Sequence, residues 1–427
     1  MTIIRPFKGY RYNAAAVGGL SKVITPPYDV INKEQQSSYY ISHPNNFIRI
    51  DLGKVFPSDN AKENRYSRAG RLLDEWIRKG ILAKDPRESV YVYAQKYRDA
   101  DRIKERLGFI SLARLEEDRT KGFLPHERTF KGPKTDRLNL MKETSANLSP
   151  IFSIVFDDDR KIMRLLRATA KKKPAVDVIF EGTRNRIWLM TDPGQIRSLE
   201  KAMARKKALI ADGHHRYEVS LGYRRHMRRH GKAADKKAYD YVMMYFATSD
   251  PSGFTILPTH RMVEGISAAD FRKNLGRITR YFDIIRSVSR ERMLSCMKTE
   301  KGHTIGVYLG GKDYLCLQLK RKDASRLIRS KNSPYWRNLD VVILHHLLLE
   351  KALGLNEVKA AKAITFTRDL MVAFKWAASR RGRAAFFLNP PALEDINNIV
   401  RSRERMPHKT TYFYPKPPSG LVINRFE

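Results

Sequence analysis

The sequence predicts a mixed α/β (α+β) fold, and three observations predict it. Strand-like apolar runs and helix-like periodic segments alternate along the chain instead of clustering by type. One transition, from Lys207-Ala208-Leu209-Ile210 through Gly213 into Tyr217 to His230, has the strand, turn and helix texture of a single α/β unit. The 427 residues, 42% of them hydrophobic, suffice to bury a sizeable core in two or three domains or one two-lobed unit.

Taken in order, Ile3-Ile4 and Val23-Ile24 are short strand candidates separated by loops, and Pro26-Pro27 is a rigid turn. Phe47 to Asp51 alternates like a strand. Asn64 to Gly80 places Leu72, Leu73, Trp76 and Ile77 on one helical face, with Gly80 as the stop. Ser89 to Tyr97 and Arg106 to Ala113 bracket the polar Arg98 to Glu105 as a hairpin. Residues 124–150 form a polar stretch with little periodicity and many ionisable groups, the texture of a functional loop. Strands follow at Ile151 to Phe156 and Arg186 to Met190, with a helix over Arg160 to Ala170 between them. Tyr241 to Ala247 with Phe254 to Pro258 reads as another strand pair. Beyond Ser267 come a helix (Ala268 to Tyr281), a hairpin turning at Gly310 to Asp313, an apolar helix (Leu339 to Leu353), and a final strand, turn and helix from Ala384 to about Ser402. The change of texture places a domain boundary near Gly265, giving an N-terminal region 1–265 and a C-terminal α/β domain 266–427.

The densest chemistry lies at Ala211-Asp212-Gly213-His214-His215-Arg216. A strand turning through glycine into a helix aims backbone N–H groups and a positive dipole end at one spot, which suits phosphate. Gly213 permits close backbone approach, Arg216 offers a bidentate fork, and Asp212 is able to hold a metal ion or accept a proton. The bland alternative is a helix-capping acid beside solvated histidines, and spacing alone leaves the two evenly matched.

Ile4-Arg5-Pro6-Phe7, Thr25-Pro26-Pro27-Tyr28-Asp29-Val30-Ile31, His126-Glu127-Arg128-Thr129, the Ala211–Arg216 segment, and Met406 to Lys416 together resemble a large microbial family, domain of unknown function 1015, over essentially the whole chain. The Asp212-Gly213-His214-x-Arg216 core is also similar to the phosphate loop of the ParB/sulfiredoxin superfamily, and most of all to that of free-serine kinases using ADP or ATP. This resemblance implies a ParB/sulfiredoxin-like nucleotide-binding core, a phosphotransferase acting on a small hydroxylated metabolite such as free serine, and Mg²⁺ with ATP or ADP. It implies phosphate binding by Gly213, His214 and Arg216, and metal or hydroxyl contact by Asp212. His215 stands between the matched residues, where the resemblance gives it no role, and is a further candidate phosphate contact.

Outside that loop, Glu127 is the candidate base, with Lys134 and Arg137 as phosphate ligands that stabilise developing charge; a surface salt-bridge cluster is the competing reading. His126, Asp29 and Asn147 are candidate substrate contacts. The prolines before Asp29 would present it at a fixed angle to a metal or a substrate amine, although a turn in which Asp29 bonds its own backbone is the commoner outcome. His345-His346 lie among leucines and read as core residues. In Thr411 to Lys416 the aromatics suit either packing or base stacking, and Lys416 is a weak candidate phosphate contact.

Composition excludes several classes. His126-Glu127 lacks the second histidine of a helical zinc-protease site, and no nucleophile elbow, complete P-loop or dinucleotide-binding glycine fingerprint is present. The two cysteines, Cys296 and Cys316, make no disulfide framework. No apolar run reaches the roughly 20 residues needed to span a bilayer, so a cytoplasmic protein with no membrane partner is expected. The net charge of +37 predicts nonspecific nucleic-acid binding at low salt, and a nucleotide-switched nucleic-acid binder is the alternative function.

Overall fold

The hairpin of β2 (Val90–Asp99) and β3 (Arg102–Arg114) lies in the middle of the largest sheet, its strands running through the segment expected to be the connection and leaving Ala100 at φ 49° in the turn. The computed structural model describes residues 2–118, 122–125, 131–230, 238–300, 302–320, 324–407 and 409–426. Around the hairpin assemble β1 (Ile4–Arg5), β4 (Phe123–Pro125), β5 (Ile151–Val155), β6 (Val176–Phe180), β7 (Thr183–Met190), β8 (Ala208–Asp212) and β9 (Tyr241–Thr248), in the order β4-β8-β5-β9-β3-β2-β7-β6 with β1 added on β3. The sheet is mixed: β8 runs parallel to β4 and antiparallel to β5, and β9 runs parallel to β5 and antiparallel to β3. The α/β class expected from the sequence is the class observed.

Strand alternation decides the two faces of this sheet. Val90, Val92 and Ala94 join Phe109, Trp188 and Phe246 in a core with Ile162 and Leu166 of α3 (Lys161–Ala170) and Ile196 and Leu199 of α4 (Pro193–Ala204). Tyr91, Tyr93 and Gln95 face the other way. There the Tyr93 hydroxyl donates to Asn185 Oδ1 at 2.6 Å, and the buried Arg106 donates to Gln95 and to the Pro415 carbonyl. The last segment of the chain is thereby tied to this face, and Asn424–Arg425 pairs with Ala146–Asn147. Helix α1 (Arg65–Arg78) is capped by Asn64, which accepts from the Tyr66 and Ser67 amides, and it buries Ala69, Leu73 and Trp76 in a separate apolar cluster with Tyr12, Phe47 and Leu140.

Several local expectations are corrected. Phe47 to Asp51 is not a strand: Ile48–Asp51 is a helical turn, started by Asn46 accepting from the Ile48 amide at 3.0 Å and closed by Asp51 pairing with Arg137, tertiary contacts that override alternation. The polar stretch 124–150 is largely α2 (Lys131–Thr144). Its inward face carries Arg137 and Thr144 beside Leu140 and Met141, so it lacks the apolar stripe by which helices are recognised. Thr255–Leu257 pairs with Tyr412–Tyr414 and not with β9. The helix expected over Ala268 to Tyr281 breaks at Asn274, and the apolar helix after Leu339 passes into a π-helix over Leu344–Ala352.

The chain divides into two compact units, residues 1–255 with 415–427 and residues 256–414. The division falls before Gly265, and the C-terminal segment belongs to the first unit because its hydrogen bonds lie there. The second unit is built on an antiparallel sheet of β10 (His260–Glu264), β11 (Phe282–Ser287), β12 (Thr304–Tyr308), β13 (Tyr314–Leu319), β14 (Ile364–Thr367) and β15 (Arg383–Leu388), in the order β11-β13-β12-β15-β10-β14. Among the described residues no helix is long and apolar enough to cross a membrane.

Candidate functional site

The site is built where β8 ends. Pairing of β8 with β5 slips between Ile210 and Asp212, so Ala211 is an extra residue and the bulge re-aims the Asp212 side chain. Gly213 follows at φ 91°, and its carbonyl accepts from the Tyr217 amide at 3.0 Å to open α5 (His214–His230). Amides in the first turn of a helix have no acceptor within it and carry the positive end of the dipole.

Gly213 is required on two counts. Its φ lies in the region that side chains avoid, and a Cβ there would stand 2.9 Å from Nε and Nη2 of Arg216. Arg216 fills that space because it folds back over the turn, donating from Nη2 to Asp212 Oδ2 at 2.7 Å and from Nη1 to Ser149 Oγ at 2.8 Å and the Pro150 carbonyl at 2.7 Å. Gly213→Ala is therefore expected to cost about 1–3 kcal/mol, the ordinary range for a residue forced into such backbone geometry. Urea denaturation checks this, and an unchanged midpoint would show that the turn relaxes without strain.

Asp212 is the hub. Its Oδ1 lies 2.6 Å from Lys416 Nζ, and the same ammonium lies 2.5 Å from Asp29 Oδ2. Burial alone would raise the Asp212 carboxyl, but Lys416 and Arg216, aided by His214, outweigh it and hold the group down at about 2. Asp29 sits on the single turn Tyr28–Val30 that follows the two prolines, its side chain 40% exposed at the mouth of the site, whereas Lys416 is 8% exposed. On α2, Lys134 pairs with Glu218 of α5 at 3.0 Å. His215, half-buried, has its imidazole lowered from the ordinary 6.5 by burial, the carboxylates of Glu218, Asp29 and Asp212 opposing and Lys134 reinforcing. His214 is buried at 7% exposure.

The sequence candidates thus separate. Asp212, Gly213, His214, His215, Arg216, Asp29, Lys134 and Lys416 gather at one turn. Arg137 is a neighbour with other commitments: its guanidinium donates to the Asp51 carbonyl at 2.8 Å, to Asp51 Oδ1 at 3.0 Å and to Asp136 Oδ2 at 2.7 Å, and it stacks 3.9 Å from the Tyr28 ring centroid. Asn147 is a structural tie, its Oδ1 accepting from the Met243 amide and from Asn424 Nδ2, both at 3.1 Å. His126 and Glu127 lie outside the described residues. A cavity lined by Tyr28, Asp51, Arg137, Asn147, Ser149 and Arg216 measures about 40 Å³, room for a few water molecules. Glu218 was missed in the sequence although it stands one helical turn beyond His214 and His215, a spacing that marks a shared face. Ser149 and Asp51 carry no such signal. Among the described residues no group of three or more His, Cys, Asp and Glu side chains is placed to hold a metal ion.

Comparison with solved structures gives distant likenesses. SbnI with a C-terminal truncation from Staphylococcus aureus is 11% identical, with 73% of this chain and 86% of that chain covered and a TM-score of 0.36. A conserved hypothetical protein from Pyrococcus furiosus is 12% identical over 74% and 95%, with a TM-score of 0.32. A free serine kinase in complex with AMP is 10% identical over 75% and 91%, with a TM-score of 0.33. A search of curated proteins found no match. A family model covers residues 4–342, and the chain belongs to that family, described as "Protein of unknown function (DUF1015)".

Proposed function

We propose that the turn between β8 and α5 binds the phosphates of ATP or ADP, and that the protein transfers a phosphoryl group to a small hydroxylated metabolite such as free serine. The observation that carries this reading is the meeting, at the start of a 17-residue helix, of a left-handed glycine and the adjoining Asp212 with a nearly buried lysine and a second carboxylate from remote parts of the chain. Helix-start amides cradle phosphate, and Lys416 and Lys134 balance the carboxylates of Asp29, Asp212 and Glu218 that would otherwise repel it. Arg216 acts one step back: with its terminal nitrogens on Asp212, Ser149 and Pro150, it holds the shape of the turn. The similarity of the Asp212-to-Arg216 loop to those of free-serine kinases points the same way.

In the transfer, the acceptor hydroxyl oxygen bonds to the terminal phosphorus as the bond from phosphorus to the nucleotide's bridging oxygen breaks, and the hydroxyl proton passes to a carboxylate, for which Glu127 is our candidate. The Mg²⁺ implied by the loop resemblance does not suit this donor set: one oxygen of Asp212 is paired with Lys416 and the other with Arg216, and Asp29 is paired with the same lysine. No step is assigned to a metal.

The nucleic-acid reading rests on the overall charge of +37; among the described residues at the turn, Lys134, Arg216 and Lys416 are each paired with a carboxylate. Calorimetric titration with ATP and ADP, followed by radiolabelled transfer to a panel of hydroxy-metabolites, tests the proposal. Saturable one-site binding and label transfer are expected. Absence of both heat and transfer for every nucleotide would remove the kinase reading.

A further inference from the structure

The two carboxylates that converge beside the phosphate turn are already served by a cation of the chain's own. We infer that Lys416 takes the place of a divalent ion between Asp29 and Asp212, so that nucleotide binding at this turn is independent of Mg²⁺ and removal of the lysine creates a metal site.

A divalent ion at a phosphate site is typically held by one or two carboxylates together with the phosphates, at about 2.0–2.1 Å and in octahedral geometry for Mg²⁺. Asp29 and Asp212 are such a pair, brought together from distant positions in the chain. The ammonium of Lys416 stands 2.5 Å from one and 2.6 Å from the other, bridging the two carboxylates at hydrogen-bond length and occupying the gap that a bridging ion would have to enter. This lysine is not a mobile surface group that a metal displaces at small cost. Its side chain is 8% exposed, its own carbonyl accepts from Gln95 Nε2 at 3.4 Å, and the carbonyl of Pro415 just before it accepts from the buried Arg106. The backbone that delivers it is thus anchored on the sheet. A metal ion entering here would have to drive a nearly buried ammonium away from two carboxylates, leaving that charge unpaired, and an unpaired buried charge is among the most costly changes a protein suffers. Arg216, held on the second oxygen of Asp212 and on Ser149 and Pro150, closes the other approach to that carboxylate.

The inference rests on the nucleotide reading for its functional half, and its metal half stands apart from it. The test begins with Mn²⁺ alone, followed by electron paramagnetic resonance and calorimetry on the full chain. The native protein is expected to show no Mn²⁺ site at this turn. Lys416→Met, which keeps the bulk of the stem, is expected to gain one site per chain, and adding Asp29→Asn to it is expected to weaken that site at least tenfold. Lys416→Arg, which keeps the charge, is expected to behave like the native protein and guards against misfolding as the cause. ADP titration then follows with Mg²⁺ or with EDTA: native affinity changes less than about threefold, whereas K416M loses at least tenfold in EDTA and recovers when Mn²⁺ is supplied. A native Mn²⁺ site abolished by Asp212→Asn, or a tenfold loss of native ADP affinity on chelation, overturns the inference. If no nucleotide binds under any condition, the nucleotide reading fails while the Mn²⁺ measurements still decide what occupies the cation position.

Discussion

Replacing Arg137 with alanine is expected to destabilise the first unit by about 3–5 kcal/mol, the range found when one member of a buried ion pair is removed and its partner stays charged. Arg137 is 7% exposed and Asp51 is 4% exposed at the side chain, so neither is screened by solvent. Burial already raises the Asp51 carboxyl above its usual range against the pull of Arg137, and without the guanidinium that carboxyl must ionise unpaired or take up a proton. Asp136 loses a partner at 2.7 Å as well, and Tyr28 loses the cation over its ring. The double variant R137A/D51N removes the stranded charge and is expected to recover part of the loss, a coupling of about 1–3 kcal/mol in a denaturation cycle. The measurement also settles between two roles. As a structural clamp, Arg137 sets stability whether or not nucleotide is present; as a phosphate ligand, its removal would lower nucleotide affinity and leave the unliganded midpoint nearly unchanged. A cost below about 1 kcal/mol would show that the clamp is not the reason this arginine is buried.

Arg137 also illustrates why the site was only partly legible in the sequence. What is local was readable. The strand, glycine and helix at 207–230 are specified by residues within a few positions of one another, and a positive φ at Gly213 follows from the abrupt change of direction between an apolar run and a helix. The hairpin of β2 and β3 and the helix after Asn64 were readable for the same reason: alternation in the first case, a capping residue and an apolar stripe in the second. What depends on distant partners was hidden. Nothing near Asp212 announces that Lys416 will lie beside it, and the lysine owes its position to Arg106 and Gln95 on the sheet. The helix over Lys131–Thr144 was hidden because its buried face pairs charge with charge, which in a one-dimensional pattern looks like a solvated loop. Asp51 was read as part of a strand because apolar residues at Phe47, Ile48 and Ile50 mimic alternation when the helical turn that holds them is only four residues long. For Asn147 the sequence offered a polar residue in a functional-looking stretch, and gave no sign of its bond to the distant backbone amide of Met243.

The second unit is expected to lose stability steeply as the pH falls from about 6.5 to about 4. His260 is 2% exposed, and burial, reinforced by Arg261 and opposed by Asp369, brings its imidazole down from 6.5 to about 4. Its Nδ1 accepts from the Leu388 amide at 3.3 Å, a bond that protonation of that nitrogen would abolish. His345 is likewise lowered to about 4 by burial, with Arg261 and His346 adding to the effect. Both histidines bind protons less readily folded than unfolded. Their contribution is therefore complete above about 6.5 and is lost progressively as the unfolded chain takes up protons that the folded chain refuses. For His260 the gap between 6.5 and 4, at about 1.4 kcal/mol per pH unit, amounts to about 3 kcal/mol, and His345 acts in the same sense. Asp340, whose carboxyl is raised by burial and drawn back by His303, works in the opposite direction, but it is one group against two. Urea denaturation followed by tryptophan fluorescence, with Trp336 and Trp376 reporting on this unit, should show a midpoint that drops between pH 7 and pH 4.5. His260→Gln keeps an acceptor for the Leu388 amide without a titrating ring and should flatten that drop. A midpoint that stays level across the range, or a drop identical in H260Q and the native chain, would mean that His260 does not set the acid stability of this unit.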